Sequence, residues 1–367
     1  MSIIYFRLDP QLQFYAMRMA QFSDRKYIEI IRQALWSGGS SLIPDPSEGT
    51  VGRAAVMIGS GFSLNATPLH ENARRFPLWR DLVNLMIDGL MPSPDFSDDD
   101  RRHRLNTSVA ISGALRLAEE YEATFGRIKL DELLVNAIPD SQNKPSYLHR
   151  LLLSLPWADI LTTNYDTLLE RDAPLNYDTV IRVEDIPLVT RPRIVKLHGS
   201  FPSSRPFIFT EEDFRTYPRK FAPLINLAQQ TMIENIVCLI GFSGDDPNFL
   251  HWSGWVRDHL GNAAPRIYLV GVMDYSDSQR RVLEQRNVTV IDLSPLFSPK
   301  KFPDISDRHR LAIEWFLLCL EAGKPTDPED WPSSSPDDLT LPTDSRIPDR
   351  FEPAFRHAIN EPSQPNK

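Results

Sequence analysis

Four short stretches carry residue types that could do chemistry, and each follows an apolar run. In GSGFS (Gly59, Ser60, Gly61, Phe62, Ser63), glycines after a strand would let the backbone approach a pyrophosphate. Its charge would be met by backbone N–H groups and a following helix N-terminus. The third glycine of the dinucleotide fingerprint is missing, and such turns also serve purely steric ends. In TTNYD (162–166), the Asn164 amide can both donate to and accept from a ribose hydroxyl or a water, with Asp166 orienting it. The same two residues fit a helix N-cap for the run that follows, TLLERD. In KLHGS (196–200), His198 has the near-neutral titration a general base needs, and also reads as a hydrogen-bonded loop histidine. In GFSGDDP (241–247), Gly241, Phe242, Ser243 and Asp245 suit contact with a ribose, while Asp245, Asp246 and Pro247 equally fit the start of a helix. Beyond RIYLV, Gly271, Val272 and Met273 would flank an adenine ring or simply form an apolar wall.

The elements that must position these residues are short apolar runs: AAVMIG, DILTT (159–163), RIVKL (193–197), IVCLI (236–240), RIYLV (266–270) and VTVIDL (288–293). Runs this short and this uniformly apolar mark strands buried on both faces, and their alternation with helix-length stretches predicts a doubly wound α/β, Rossmann-type parallel sheet of about six strands. After the first strand, residues 79–156 turn helical, with an interruption at SDDDRRHR, and read as a helical insertion. Residues 1–52 read as an N-terminal helix (11–36) and linker, 53–300 as the domain, 301–323 as a C-terminal helix, and 324–367 as a Pro/Asp/Ser-rich tail that buries too little apolar surface to fold alone.

Composition narrows the function. With 367 residues, 41% of them hydrophobic, the chain has room for one enlarged α/β domain. A net charge of −9 argues against a chain that grips nucleic acid unaided. No run approaches the roughly 20 apolar residues of a membrane span, and MSIIYFRLDPQLQFY has no signal-peptide zones, so a cytoplasmic location is expected. The two cysteines, Cys238 and Cys319, sit in apolar runs and read as buried thiols, too few for a four-cysteine zinc site.

In this order, GSGFS, TTNYD, KLHGS and GFS resemble the glycine-rich NAD loop, Asn-Asp segment, catalytic-histidine segment and ribose loop of the sirtuin superfamily. The resemblance spans about residues 53–293 and is nearest to the zinc-free, SIR2-like NAD hydrolases of bacterial antiphage defence. Three departures separate the chain from protein-deacylating sirtuins: it lacks the zinc cysteines, it has Thr163 where Gln usually precedes the Asn, and Phe76-Pro77-Leu78-Trp79 follows the glycine loop. The resemblance implies NAD as substrate and no zinc. It implies that Asn164 places the ribose or attacking water, that Asp166 supports it, and that His198 acts as base. It further implies an oligomer restrained by a separate regulator, such as a HerA-like ATPase or an Argonaute-type protein. The alternatives are a NAD-dependent deacylase, disfavoured by the missing cysteines, and a non-catalytic NAD or ADP-ribose sensor, which would need no base.

Overall fold

The computed structural model describes residues 24–37, 52–174, 177–202, 206–273 and 275–322. The expected tail (324–367) and most of the linker lie outside these, as does the first part of the N-terminal helix.

Strand β1 (Ala54–Ile58) is buried along its whole length. It pairs in parallel with β4 (Asp159–Thr162) on one side and β7 (Ile236–Ile240) on the other. Outward from β4 lie β6 (Arg193–Lys196) and β5 (Asp178–Val180), and outward from β7 lie β8 (Ile267–Gly271) and β9 (Val288–Asp292). The sheet therefore has seven parallel strands in the order β5-β6-β4-β1-β7-β8-β9. The additional member is β5, an edge strand of three residues, DTV, exposed at its first residue and buried only at its last. It has no apolar run to announce it.

Alternation on β1 builds two cores. Ala54, Val56 and Ile58 face a layer made by α1 (Arg25–Leu35), α7 (Tyr147–Ser154) and α13 (Ile305–Ala322). Ala55 and Met57 face α9 (Glu211–Lys220), α10 (Ala222–Glu234), α11 (Pro247–Leu260) and α12 (Asp277–Gln285). The first and last described helices meet: the Trp36 indole donates to the Leu320 carbonyl at 2.9 Å. Both cysteines are buried and unbridged, Cys238 within β7 and Cys319 within α13.

The helical insertion leaves the sheet after α2 (Ser60–Ser63). A two-residue ladder ties its base, pairing β2 (Thr67–Pro68) with β3 (Asn143–Lys144). It comprises α3 (Trp79–Leu90), α4 (Asp98–Ser108), α5 (Ile111–Phe125) and α6 (Arg127–Ala137), with a core of its own that reaches Phe207 and Phe209. The stretch SDDDRRHR is helix rather than interruption. Ser97 caps α4 by accepting from the Asp100 amide, and three aspartates in the first turn complement the helix dipole. At the other end of the insertion, Arg127 clamps it to the domain through Asp213 (2.8 Å) and the Phe207 carbonyl. Among the described residues no helix is long and apolar enough to cross a membrane.

Candidate functional site

Register brings the chemistry together. Ile58 lies opposite Thr162 and Ile240, Thr162 opposite Lys196, and Ile240 opposite Val270. The residues after these strands therefore leave the sheet in one row. This is also the switch point: the chain runs from β1 toward β4, β5 and β6, then crosses back to β7, opening a crevice at the carboxyl ends of the strands. A cleft of about 1380 Å³ lies there.

The cleft is lined by 59–63, Asn164, Asp166, His198, 241–243 and Val272, so the structure gathers these predicted residues in one place. Asp245 is the exception. It is exposed and outside the lining, while its neighbour Asp246 is buried and within it. Asp246 caps α11, accepting from the Phe249 amide at 3.0 Å, and Pro247 opens the helix. The helix-start reading of these residues holds, and capping is what turns Asp246 inward.

Glycine serves close packing at the crevice. Gly241 has φ +63°, and a Cβ there would stand 2.3 Å from the Phe62 amide nitrogen; a Cβ on Gly59 would stand 2.3 Å from the Gly241 carbonyl oxygen. The loops after β1 and β7 are interlocked. That contact uses two of the amides expected to cradle a phosphate: Gly59 donates to Ile240 (3.0 Å) and Gly61 to Gly241 (2.9 Å), while Phe62 donates within its own loop to Gly59 (3.0 Å). The helix that follows is a single turn. Cationic side chains for an anion are at hand: Arg75, Arg80, Lys144, Arg150 and Arg310 all line the cleft.

Ser63 joins the first two sequence stretches. Its buried hydroxyl donates to Asp166 Oδ2 at 2.7 Å and accepts from Asn164 Nδ2 at 3.0 Å. The other Asp166 oxygen accepts from the Leu168 amide at 3.2 Å, so Asp166, one residue before the N-cap Thr167, also ties down the first turn of α8 (Leu168–Arg171). Burial pushes the Asp166 carboxyl up, opposed by the Lys196 charge and the Ser63 hydrogen bond. Lys196, itself buried, donates to the Asp166 carbonyl and pairs with Glu170 at 2.9 Å.

His198 is buried beneath Phe214 and Tyr217, with ring centroids 5.2 and 5.8 Å away. Its Nε2 meets Asn248 Nδ2 at 3.1 Å, and its Nδ1 lies 4.0 Å from Asp246 Oδ2. Under the glycine loop, Phe62 packs edge-on against His149 (4.9 Å), a ring that burial pushes down to about 3 and thus keeps neutral, accepting from the Ser146 amide at Nδ1.

Sequence reasoning missed five contributors. Asn248 and Asp246 lay hidden in a helix start. Trp79, stacked on Phe209 at 5.3 Å, brings the insertion into the wall. Helix α13 contributes Arg310 and Glu314 from the far end of the chain, a juxtaposition no local pattern could signal. Among the described residues no group of three or more His, Cys, Asp or Glu is arranged to hold a metal ion.

Comparison with known proteins agrees with this geometry. Residues 158–291, from the strand before Asn164 to the end of β9, match the SIR2-like domain family. That stretch is similar to SIR2-like domains. Its similarity extends to curated proteins: 26% identity over 174 residues to NAD(+) hydrolase ThsA of Acinetobacter baumannii (strain 532279), 44% of this chain and 36% of that protein. Defense-associated sirtuin 2 of Bacillus subtilis is 22% identical over 74% of this chain and 26% of its own length. NAD(+) hydrolase ThsA of Cytobacillus dafuensis is 24% identical over 59% of this chain and 40% of its own length. The chain thus spans less than half the length of these curated relatives.

Proposed function

We propose that this protein is a cytoplasmic NAD hydrolase that cleaves the nicotinamide–ribose bond to give nicotinamide and ADP-ribose, and that it serves antiphage defence by depleting NAD when activated. The observation that carries the reading is the convergence of Asn164, Asp166 and His198 with two interlocked glycine loops in one cleft. At about 1380 Å³ the cleft exceeds the ~300–1,000 Å³ usual for small ligands and suits an extended dinucleotide. The names of its relatives, NAD(+) hydrolase ThsA and Defense-associated sirtuin 2, support the same reading.

In this reading the nicotinamide riboside lies between Asn164 and His198, and the pyrophosphate passes over 59–63, met by the neighbouring arginines. The adenosine ribose lies near Gly241, Phe242 and Ser243, with the adenine beside Val272. Loss of nicotinamide leaves an oxocarbenium-like ribose, which a closed polar site stabilises electrostatically. Asn164, pinned through its Nδ2 by Ser63, positions the ribose or the water with its carbonyl oxygen, and His198 assists removal of the water proton. The chain's own residues provide these roles without zinc. An unrestrained enzyme would exhaust its host's NAD, so the reading includes a homo-oligomer and a separate regulatory protein, such as a HerA-like ATPase.

The test is chromatography of NAD incubated with the protein, with and without candidate partners, beside His198→Ala and Asn164→Ala. Nicotinamide release abolished by both substitutions supports the reading. Binding without release under every condition would replace it with a sensor.

A further inference from the structure

The first turn of α11 reaches His198 from behind. Asn248 is buried and lies outside the cleft lining, whereas His198 and Asp246 both line the cleft. The Asn248 group facing Nε2 is its NH₂, at 3.1 Å. An amide NH₂ only donates, so Nε2 accepts and the proton of the neutral ring sits on Nδ1. That nitrogen faces Asp246 Oδ2 at 4.0 Å, a gap of the kind that tightens when a substrate closes an active site. Asp246 Oδ1 is already committed to capping α11, which holds Oδ2 toward the histidine and the cleft.

We propose that Asp246 is the general base of this site, that His198 supports its carboxylate through Nδ1–H, and that Asn248 is the positioning residue that fixes the histidine tautomer. The inference rests on the NAD-hydrolase reading and assigns the proton within it. The water oxygen bonds to ribose C1′ as the C1′–nitrogen bond breaks. That electron pair leaves on nicotinamide, neutralising its ring, and the water proton passes to Asp246 and then to solvent. The arrangement follows the familiar logic in which one nitrogen of an imidazole is fixed so that the other can serve a carboxylate.

The environment of Asp246 fits the role. Burial lifts its carboxyl to about 6, against the pull of the Asn248 and Phe249 amides, leaving it basic yet mostly ionised near neutrality. Besides His198, the ionisable groups packed around the pair are Tyr165, which feels the Asp246 charge, and Tyr217, which donates to the Leu197 carbonyl at 2.6 Å.

Asp246→Asn keeps the shape and an oxygen able to cap α11. In the full chain, with any activating partner present, it should lower kcat for nicotinamide release by about 100-fold or more while KM moves less than about threefold. The limb of the kcat/KM–pH profile near pH 6 should vanish. Added formate should partly restore Asp246→Gly, which no purely structural role would allow. Histidine ¹⁵N spectra of the full-length protein, assigned with His198→Gln, should show Nδ1–H at His198 and a shift toward Nε2–H in Asn248→Ala. If Asp246→Asn keeps kcat within about threefold while His198→Ala is inactive, the base assignment is wrong and the NAD-hydrolase reading stands. An Nε2–H tautomer in the unaltered protein overturns the inference whatever the turnover. If that protein releases no nicotinamide under any condition, the hydrolase reading fails and takes the base assignment with it.

Discussion

Removing one oxygen at Ser63 tests whether the glycine loop organises Asn164, the asparagine proposed to position the ribose or the water. The Ser63 hydroxyl donates to Asp166 Oδ2 at 2.7 Å and accepts from Asn164 Nδ2 at 3.0 Å, and it is buried together with Asp166. Ser63→Ala leaves a buried carboxylate short of a donor and an amide short of an acceptor. A hydrogen bond to a charged group is worth about 1.5–3 kcal/mol, so the melting temperature should fall by roughly 5 °C. The Asp166 carboxyl, already raised by burial, should rise further once Ser63 no longer favours its ionised form. Asn164, no longer pinned, should wander by about an ångström, and misplacement on that scale costs on the order of 100-fold in rate. The assay is nicotinamide release beside thermal unfolding for Ser63→Ala, Asn164→Ala and the double variant. Because Ser63 acts through Asn164, the double variant should be scarcely slower than Asn164→Ala alone. Rates that multiply in full, or a Ser63→Ala protein with unchanged melting and turnover, would refute the reasoning.

Gly241→Ala should unfold more easily by more than about 2 kcal/mol and lose NAD binding, because an L residue at φ +63° is strained and its Cβ would strike the Phe62 backbone at 2.3 Å. Gly61→Ala, with its nearest contact at 3.0 Å, should be milder, as melting curves and NAD titration of the two variants will compare. Glu314, buried in α13 with Arg310 Nη1 3.4 Å away, is lifted from 4.5 to about 7 by burial. The folded state therefore holds a proton that the unfolded chain has released. That contribution to stability is full below pH 4.5 and is lost as pH rises through about 7, a difference on the order of 3 kcal/mol. Glu314→Gln should accordingly melt higher than the parent at pH 8 and about level with it at pH 4.5; equal melting at both values would contradict this.

What the sequence by itself determined is the sheet's interior and the residues that end its strands. AAVMI and IVCLI are apolar without alternation because helices cover both faces of a parallel sheet, and that is a local property. Asn164, His198 and the glycines were legible because chemistry in this architecture gathers where strands end. The short edge strand β5 was not, since a strand paired on one side needs little apolar sequence. Nor was α4, where three first-turn aspartates behind the Ser97 cap read as charge rather than as a helix start. Tertiary structure alone decided that Asp246 and not Asp245 faces the cleft, through one helix cap. It also decided that the Gly59 and Gly61 amides are spent on Ile240 and Gly241, and that α13 and the insertion complete the walls. Those outcomes depend on contacts between segments up to some 250 residues apart, and neither periodicity nor capping along one stretch of chain carries information about what another stretch will place opposite it.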